Sequence, residues 1–375
     1  MIPRWFKRII HSTESSKEEL PKIMMRRLGR TELSVSAIGQ DFQDMIWGTH
    51  SVEQVAKLIK FLRDMGVNFF SSVANNVSLL GKAGLVPGNN VYVSLTFHEE
   101  TDGQIKSAIK KNIRELNSKY ITIAMMDSFM GIEEYDQKIK NGVLAELKRA
   151  KKAGVIKFIG IKTAHKDVLK KAILSDEFDI IDTMHSMAFE INADVFELAQ
   201  KHNVGVIASD IFAGGILLNR DVNSENIVKG ITEMNISNAS KYVLANKNIS
   251  CCSARMTSID AAWAAVENAM HSVVLSEDEK NNMRNNMINV LGKDFCRSCK
   301  MCFPCKELGY DFNIDVILRT SRMFEKYKIN RFKEEYAHMK LKADKCTQCG
   351  SCEAKCPFKI QIGQGLKAAH KILSE

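Results

Sequence analysis

The chain has 375 residues, 45% of them apolar and 26% charged, with a formal net charge of +9. That is enough chain for a large core and a smaller second domain, and no stretch reaches the ~18 consecutive apolar residues of a membrane span. No secretory h-region is visible, so a secreted disulfide framework is disfavoured and a cytoplasmic, reducing or anaerobic setting is expected.

In chain order, residues 1–25 read as an N-terminal extension. Within it Met1 to Ile10 interleave Trp5, Phe6, Ile9 and Ile10 with Arg4, Lys7 and Arg8, so a helix there could touch a membrane surface or a partner peripherally. A frayed leader is the favoured reading. From 26 to 275 short β-branched or apolar runs alternate with amphipathic ones. The predicted strands are Ser34 to Gly39, Val67 to Ser71, Val91 to Thr96, Ile121 to Met126, Ile156 to Ile161, Asp179 to Thr183, Gly205 to Ala208 and Ile249 to Cys252. Predicted helices lie between them, for example Val52 to Met65, Gln104 to Leu116, Asn141 to Ala153 and Ser258 to Met270. Roughly eight βα units over about 245 residues is the arithmetic of a (β/α)8 TIM barrel, with its site on the loops at the C-terminal strand ends. A doubly wound sheet is the runner-up, but no G-x-G-x-x-G follows the first strand.

Residues 285–375 carry eight of the ten cysteines, in two tight runs. Cys346, Cys349, Cys352 and Cys356, followed by Pro357, have the bacterial ferredoxin spacing C-x2-C-x2-C-x3-C-P, and Cys296, Cys299, Cys302 and Cys305 form a variant one residue shorter. In that pattern the fourth cysteine of each run ligates the other cluster. Two [4Fe-4S] clusters are therefore expected, one on Cys296, Cys299, Cys302 and Cys356, the other on Cys346, Cys349, Cys352 and Cys305. Zinc also accepts four cysteines, but usually from two widely separated knuckles. Cys251 and Cys252 read as small apolar fillers. The basic surplus includes Arg319, Arg322, Lys326 and Arg331 between the two runs. No nucleic-acid recognition motif accompanies it, so it is assigned to offsetting cluster charge or receiving an acidic redox partner of ferredoxin or flavodoxin type.

The segments RRLGRTELSVSAIG, GVNFF, LGKA, ELKRAKKAGVIKFIGIKT and VGVIASDIFAGGILLNRD resemble the aldo/keto reductase family, and with the cysteines the chain resembles its branch carrying a C-terminal ferredoxin-like helical domain. The resemblance implies carbonyl reduction by NADPH with a tyrosine acid, a lysine, an aspartate and a histidine. Here Ser71 stands at the aspartate position, Thr96 at the lysine and Asp127 at the histidine, while the segment that would hold the tyrosine is shortened around Asn75 and Asn76. The family's nicotinamide hooks match Lys162 and Thr163, then Asp182 and His185. Gly214, Gly215 and Arg255 remain as candidate cofactor-binding residues, and Asp127 and His185 as candidate acid and base in a mouth that also holds Asp210.

Conventional NADPH-dependent reduction is thus disfavoured on residues alone, because general acid catalysis, which contributes ~10^2 to 10^4-fold, lacks its donor. Two functions stay open. One is an iron-sulfur redox protein that relays electrons through two clusters on a barrel scaffold, a pseudoenzyme in its barrel. The other is a divergent oxidoreductase acting on a substrate in the barrel mouth, with a flavin or a residual nicotinamide site as options.

Overall fold

The computed structural model describes residues 22–43, 45, 50–74, 77–217, 235–328 and 330–375, with the backbone alone at 326 and 327. The basic segment 1–10, Asn75, Asn76 and the Lys326 side chain lie outside the described residues. Strands β1 (Met25–Arg27) and β2 (Ser34–Ser36) form an antiparallel hairpin. Eight further strands close a parallel barrel in sequence order: β3 (Ile38–Asp41), β4 (Phe69–Val73), β5 (Tyr92–Phe97), β6 (Ile121–Asp127), β7 (Ile156–Lys162), β8 (Ile180–Met184), β9 (Gly205–Ser209) and β10 (Cys251–Ala254). The barrel is sealed where β10 pairs with both β9 and β3. The chain therefore has the TIM-barrel architecture that its alternating pattern predicts.

One expectation needs correction. The run Ser34 to Gly39 is two strands, because the chain turns at Ala37 between the hairpin and the barrel. The hairpin has its own purpose. Its Leu28 and Val35 are wholly buried in one cluster with the barrel-interior side chains Phe69, Ile123, Met125, Ile180, Ile207 and Cys251. It stoppers one end of the barrel and leaves the other end to chemistry. Both Cys251 and Cys252 are fully buried, as apolar fillers should be.

Helices α1 (Val52–Asp64), α2 (Ser78–Lys82), α3 (Asp102–Glu115), α4 (Ile132–Lys140), α5 (Val143–Lys152), α6 (Lys166–Leu174), α7 (Ala193–Lys201), α8 (Ile236–Leu244) and α9 (Ile259–Ala269) belong to the barrel part of the chain. Their starts are written in the sequence. Ser51, Thr101, Asn235 and Ser258 each accept a hydrogen bond from the third residue of the following helix, worth ~1 kcal/mol apiece.

After α10 (Glu277–Leu291) the chain enters the cysteine-rich region, with α11 (Ile314–Tyr327), α12 (Arg331–Ala337), α13 (Ser351–Lys355) and α14 (Ile362–Ser374). It has its own core, built on Phe312, Ile317, Tyr336, Leu366 and Leu373 together with Cys302 and Cys356. Among the described residues no helix is long and apolar enough to cross a membrane.

Helices α2 and α3 approach so closely at Gly81 that an added Cβ would lie 1.9 Å from the Glu115 carbonyl oxygen. Backbone cannot swing aside as a side chain can. Gly81→Ala should therefore destabilise the barrel by about 1–3 kcal/mol, read as a lower thermal midpoint with the iron content unchanged. An unaltered midpoint would mean that the two helices can separate freely.

Candidate functional site

The C-terminal ends of the barrel strands open into a cavity of about 610 Å³, and the cysteine-rich region forms its other wall. Asp41, Thr96, His98, Lys162, Asp182 and Arg255 face it from the barrel, while Ser298, Cys299, Phe303 and Asp315 face it from beyond residue 290. The closure is fixed by Arg319 of α11, whose guanidinium donates to the Gly214 carbonyl on the loop after β9. A second tie joins Tyr310 to the Met130 sulfur at 3.3 Å.

Charge at the mouth is paired. Lys162 lies 3.1 Å from Asp182, and Arg255 bonds Asp210. Burial alone would push the Lys162 ammonium down, yet Asp182 and Asp41 outweigh it and hold the lysine above its ordinary value. Burial pushes the Asp41 carboxyl up, against the opposing pull of Lys162 and Arg255. Pairing is nevertheless incomplete. Asp182 Oδ1 and Ser298 Oγ are buried without hydrogen-bond partners, and both residues line the cavity. Unmet buried polar atoms cost free energy, so these two positions favour a bound polar group.

The residues singled out in the sequence divide between the cavity and the surrounding protein. Ser71 bonds Ser253 through their hydroxyls at 2.7 Å, and Thr96 faces the cavity. Asp127, the last residue of β6, is 2% exposed, its carboxylate shared by Lys138 and by His98 Nδ1 at 2.5 Å. It supports His98. His185 is also buried, with its ring edge-on to Phe196 at 5.1 Å, beside Tyr242 and off the cavity lining. Burial pushes its pKa down to about 4, helped by Lys280, so its place suits a neutral packing residue. His98, which the sequence reading passed over, is the histidine that faces the cavity. Its position just past the C-terminal end of a barrel strand is the signal that could have found it.

Gly214 and Gly215 do line the cavity, but their amides are engaged. Gly214 N–H donates to Asp210 Oδ1 at 2.9 Å and Gly215 N–H to the Phe212 carbonyl at 3.0 Å. Asp210 also holds Arg255. A pyrophosphate brought to this loop would meet a carboxylate where it needs donors. With Lys162 and Asp182 paired in the same cavity, the described residues of this loop do not fit a dinucleotide phosphate.

The cysteines gather across the two runs. A second cavity, of about 240 Å³, is lined by Cys305 together with Cys346, Cys349 and Cys352. Cys356 in turn lies near Cys296 and Cys299. Burial, joined by Asp315 and neighbouring thiols, pushes Cys296 up to about 12 and Cys299 up to about 11. Cys302 is raised chiefly by burial and then by Cys296 and Cys299. Burial thus opposes free thiolates here, and a bound cluster would have to supply the positive charge that deprotonates its ligands. Cys349 differs. It is exposed, and hydrogen bonding with Ser351 lowers its pKa. Among the described residues no three His, Cys, Asp or Glu side chains converge as they would on a single metal ion.

This grouping leads to two expected outcomes. Cys356→Ser should damage the cluster shared with Cys296, Cys299 and Cys302 and spare its own sequence neighbours, read by iron content and by the signals of the two reduced clusters; equal loss of both would contradict the crossed assignment. Lys138→Met should leave Asp127 and Glu134 buried without their shared cation, lowering stability by about 3–5 kcal/mol; a denaturant midpoint unchanged from the parent would show that Lys138 is not their counterion.

Comparisons with known proteins agree with this architecture. The aldo/keto reductase family model matches residues 47–270, and a 4Fe-4S dicluster domain model matches 295–361. Among solved structures, an aldo-keto reductase from Bacillus halodurans in its holo form superposes with a TM-score of 0.59 at 20% identity, covering 70% of this chain and 96% of that one. A Pseudomonas aeruginosa protein assigned to the aldo-keto reductases superposes with a TM-score of 0.55 at 16% identity, covering 66% and 95%. No curated protein matches the chain in sequence. The chain belongs to the aldo/keto reductase family and carries a 4Fe-4S dicluster domain after its barrel.

Proposed function

We propose that this iron-sulfur oxidoreductase reduces a small molecule held between the barrel mouth and the cysteine loop, with electrons in place of NADPH hydride. One observation carries the reading: Cys299, a candidate cluster ligand, lines the same 610 Å³ cavity as the strand-end residues of the barrel. Two [4Fe-4S] clusters, when bound, supply electrons one at a time. The chain's own residues do the rest. Asp182 and Ser298 offer unmet polar atoms to a ligand, and Arg319 ties the cysteine-rich region over the mouth. On this reading the barrel of residues 26–275 binds the substrate, and residues 285–375 feed it.

Electrons would enter from the far side. Thr347, Gln348, Cys349 and Gly350 are all exposed, whereas Cys302 and Cys356 are buried. An acidic carrier of ferredoxin or flavodoxin type, in a reducing cytoplasm, would dock at the Cys349 face. The basic segment between the runs is a weaker candidate for that surface. Arg319 is committed to Gly214, Arg322 pairs with Glu325 and Arg331 with Glu335.

Anaerobically purified protein should bind no NADPH or NADH in a saturable way, and its dithionite-reduced form should be reoxidised by small unsaturated compounds. An FMN titration checks the flavin option. Tight NADPH binding with hydride transfer to a carbonyl would overturn the proposal. Reduction by the protein carrier should slow as ionic strength rises beyond about 0.15 M; indifference to salt would show that basic charge does not steer the carrier to the protein.

A further inference from the structure

The cavity's residues specify its ligand more closely than "small molecule". His98 follows β5, and its Nδ1 is engaged by Asp127 Oδ2 at 2.5 Å. Asp127 is in turn anchored by Lys138, which is wholly buried and also reaches Glu134 at 3.2 Å and Glu100 at 3.3 Å. A carboxylate on Nδ1 fixes the ring and its tautomer. Among the described residues no hydrogen bond engages His98 Nε2, and the residue lines the cavity. A ring held in this way can offer Nε2 to a ligand and pass a proton from it.

Phe129 lies beside that ring, its centroid 5.6 Å from that of His98, and remains 40% exposed. From the cysteine loop Phe303 lines the same cavity, its ring edge-on to Tyr310 at 5.4 Å. Two exposed or half-buried aromatic rings on a cavity rim favour a flat, apolar occupant. Around the barrel ring β8 stands three strands from β5, and its Asp182 has Oδ1 buried and unpartnered. That atom accepts and cannot donate.

We propose that the cavity binds a planar conjugated carbonyl compound bearing a hydroxyl or amino donor, with Phe129 against its plane, the donor on Asp182 Oδ1 and His98 Nε2 at the carbonyl oxygen. This rests on the function proposed above. Conjugation suits electrons that arrive singly, because the half-reduced compound spreads its unpaired electron over the π-system. The overall step adds two electrons and two protons across the conjugated system. The electrons come from a low-potential one-electron protein carrier, one proton leaves Nε2 of the doubly protonated His98 ring and the other comes from water. His98 keeps its Nδ1 proton, donated to Asp127, throughout and regains the lost Nε2 proton from solvent.

The test uses the anaerobic holoprotein, with para-hydroxycinnamaldehyde as probe, cinnamaldehyde as the same molecule without the donor, and equilibrium dialysis as the readout. The hydroxylated compound should bind about tenfold more tightly than the other, and Asp182→Asn should remove most of that preference. His98→Phe should weaken both compounds about tenfold, and Phe129→Ala should weaken both about fivefold. Iron content should stay at the parent value in all three variants. No binding to the parent protein, or binding indifferent to all three substitutions, would overturn the inference. Stopped-flow reoxidation of the reduced clusters separates this from the reading beneath it. Side-chain-dependent binding without cluster reoxidation would refute electron delivery into the cavity and leave the ligand assignment standing. Reoxidation by the probe that ignores His98, Asp182 and Phe129 would do the reverse.

Discussion

The bond from the Arg319 guanidinium to the Gly214 carbonyl, beside Phe295 and Met323 buried in the barrel's core cluster, ties the cysteine-rich region to the barrel mouth that shares its cavity. A TIM barrel alone presents an open bowl of loops. Here α11 and the loop carrying Ser298, Cys299 and Phe303 roof that bowl. The loop that accepts the bond is the one after β9. Its glycines, at φ +64° and +88°, remain in the left-handed conformation that such a turn requires. Their amides have been turned to Asp210 and Phe212. The same loop thus seats the cysteine-rich region and has these two amides engaged within itself.

The polar groups at the mouth follow a similar logic. Ser71 bonds Ser253, Lys162 pairs with Asp182, and Arg255 pairs with Asp210, so the mouth is a compensated polar surface rather than a set of stranded charges. Buried ion pairs add little net stability, since desolvation offsets most of their attraction. Two polar atoms and one ring nitrogen are left over. All three belong to residues lining the cavity, where a ligand can satisfy them.

The barrel was readable from the chain because β-branched runs, helix caps and the alternation of the two periods all agree along it. The exception, Ser34 to Gly39, is instructive. Its residues are all strand-compatible, and only tertiary pairing reveals that Ala37 divides a plug from a wall. Spacing leads to the expectation that Cys305 joins the second run and Cys356 the first, and Cys305 lines a cavity with Cys346, Cys349 and Cys352. The site was less legible. Matching positions to the family drew attention to Asp127 and His185, yet whether a strand-end side chain turns into the mouth or into the helices depends on the local packing. His185 is drawn outward by Phe196 and Tyr242, while His98, two residues beyond a matched position, is drawn inward by Asp127.

The central claim is that a cluster and a bound ligand share one cavity, and magnetic coupling tests it most directly. The reduced holoprotein would be examined by electron-nuclear double resonance with deuterated para-hydroxycinnamaldehyde bound. Deuterium couplings on the signal of the cluster held by Cys296, Cys299, Cys302 and Cys356, and on no other, are the predicted result. A saturated site with no deuterium coupling to either cluster would contradict the account.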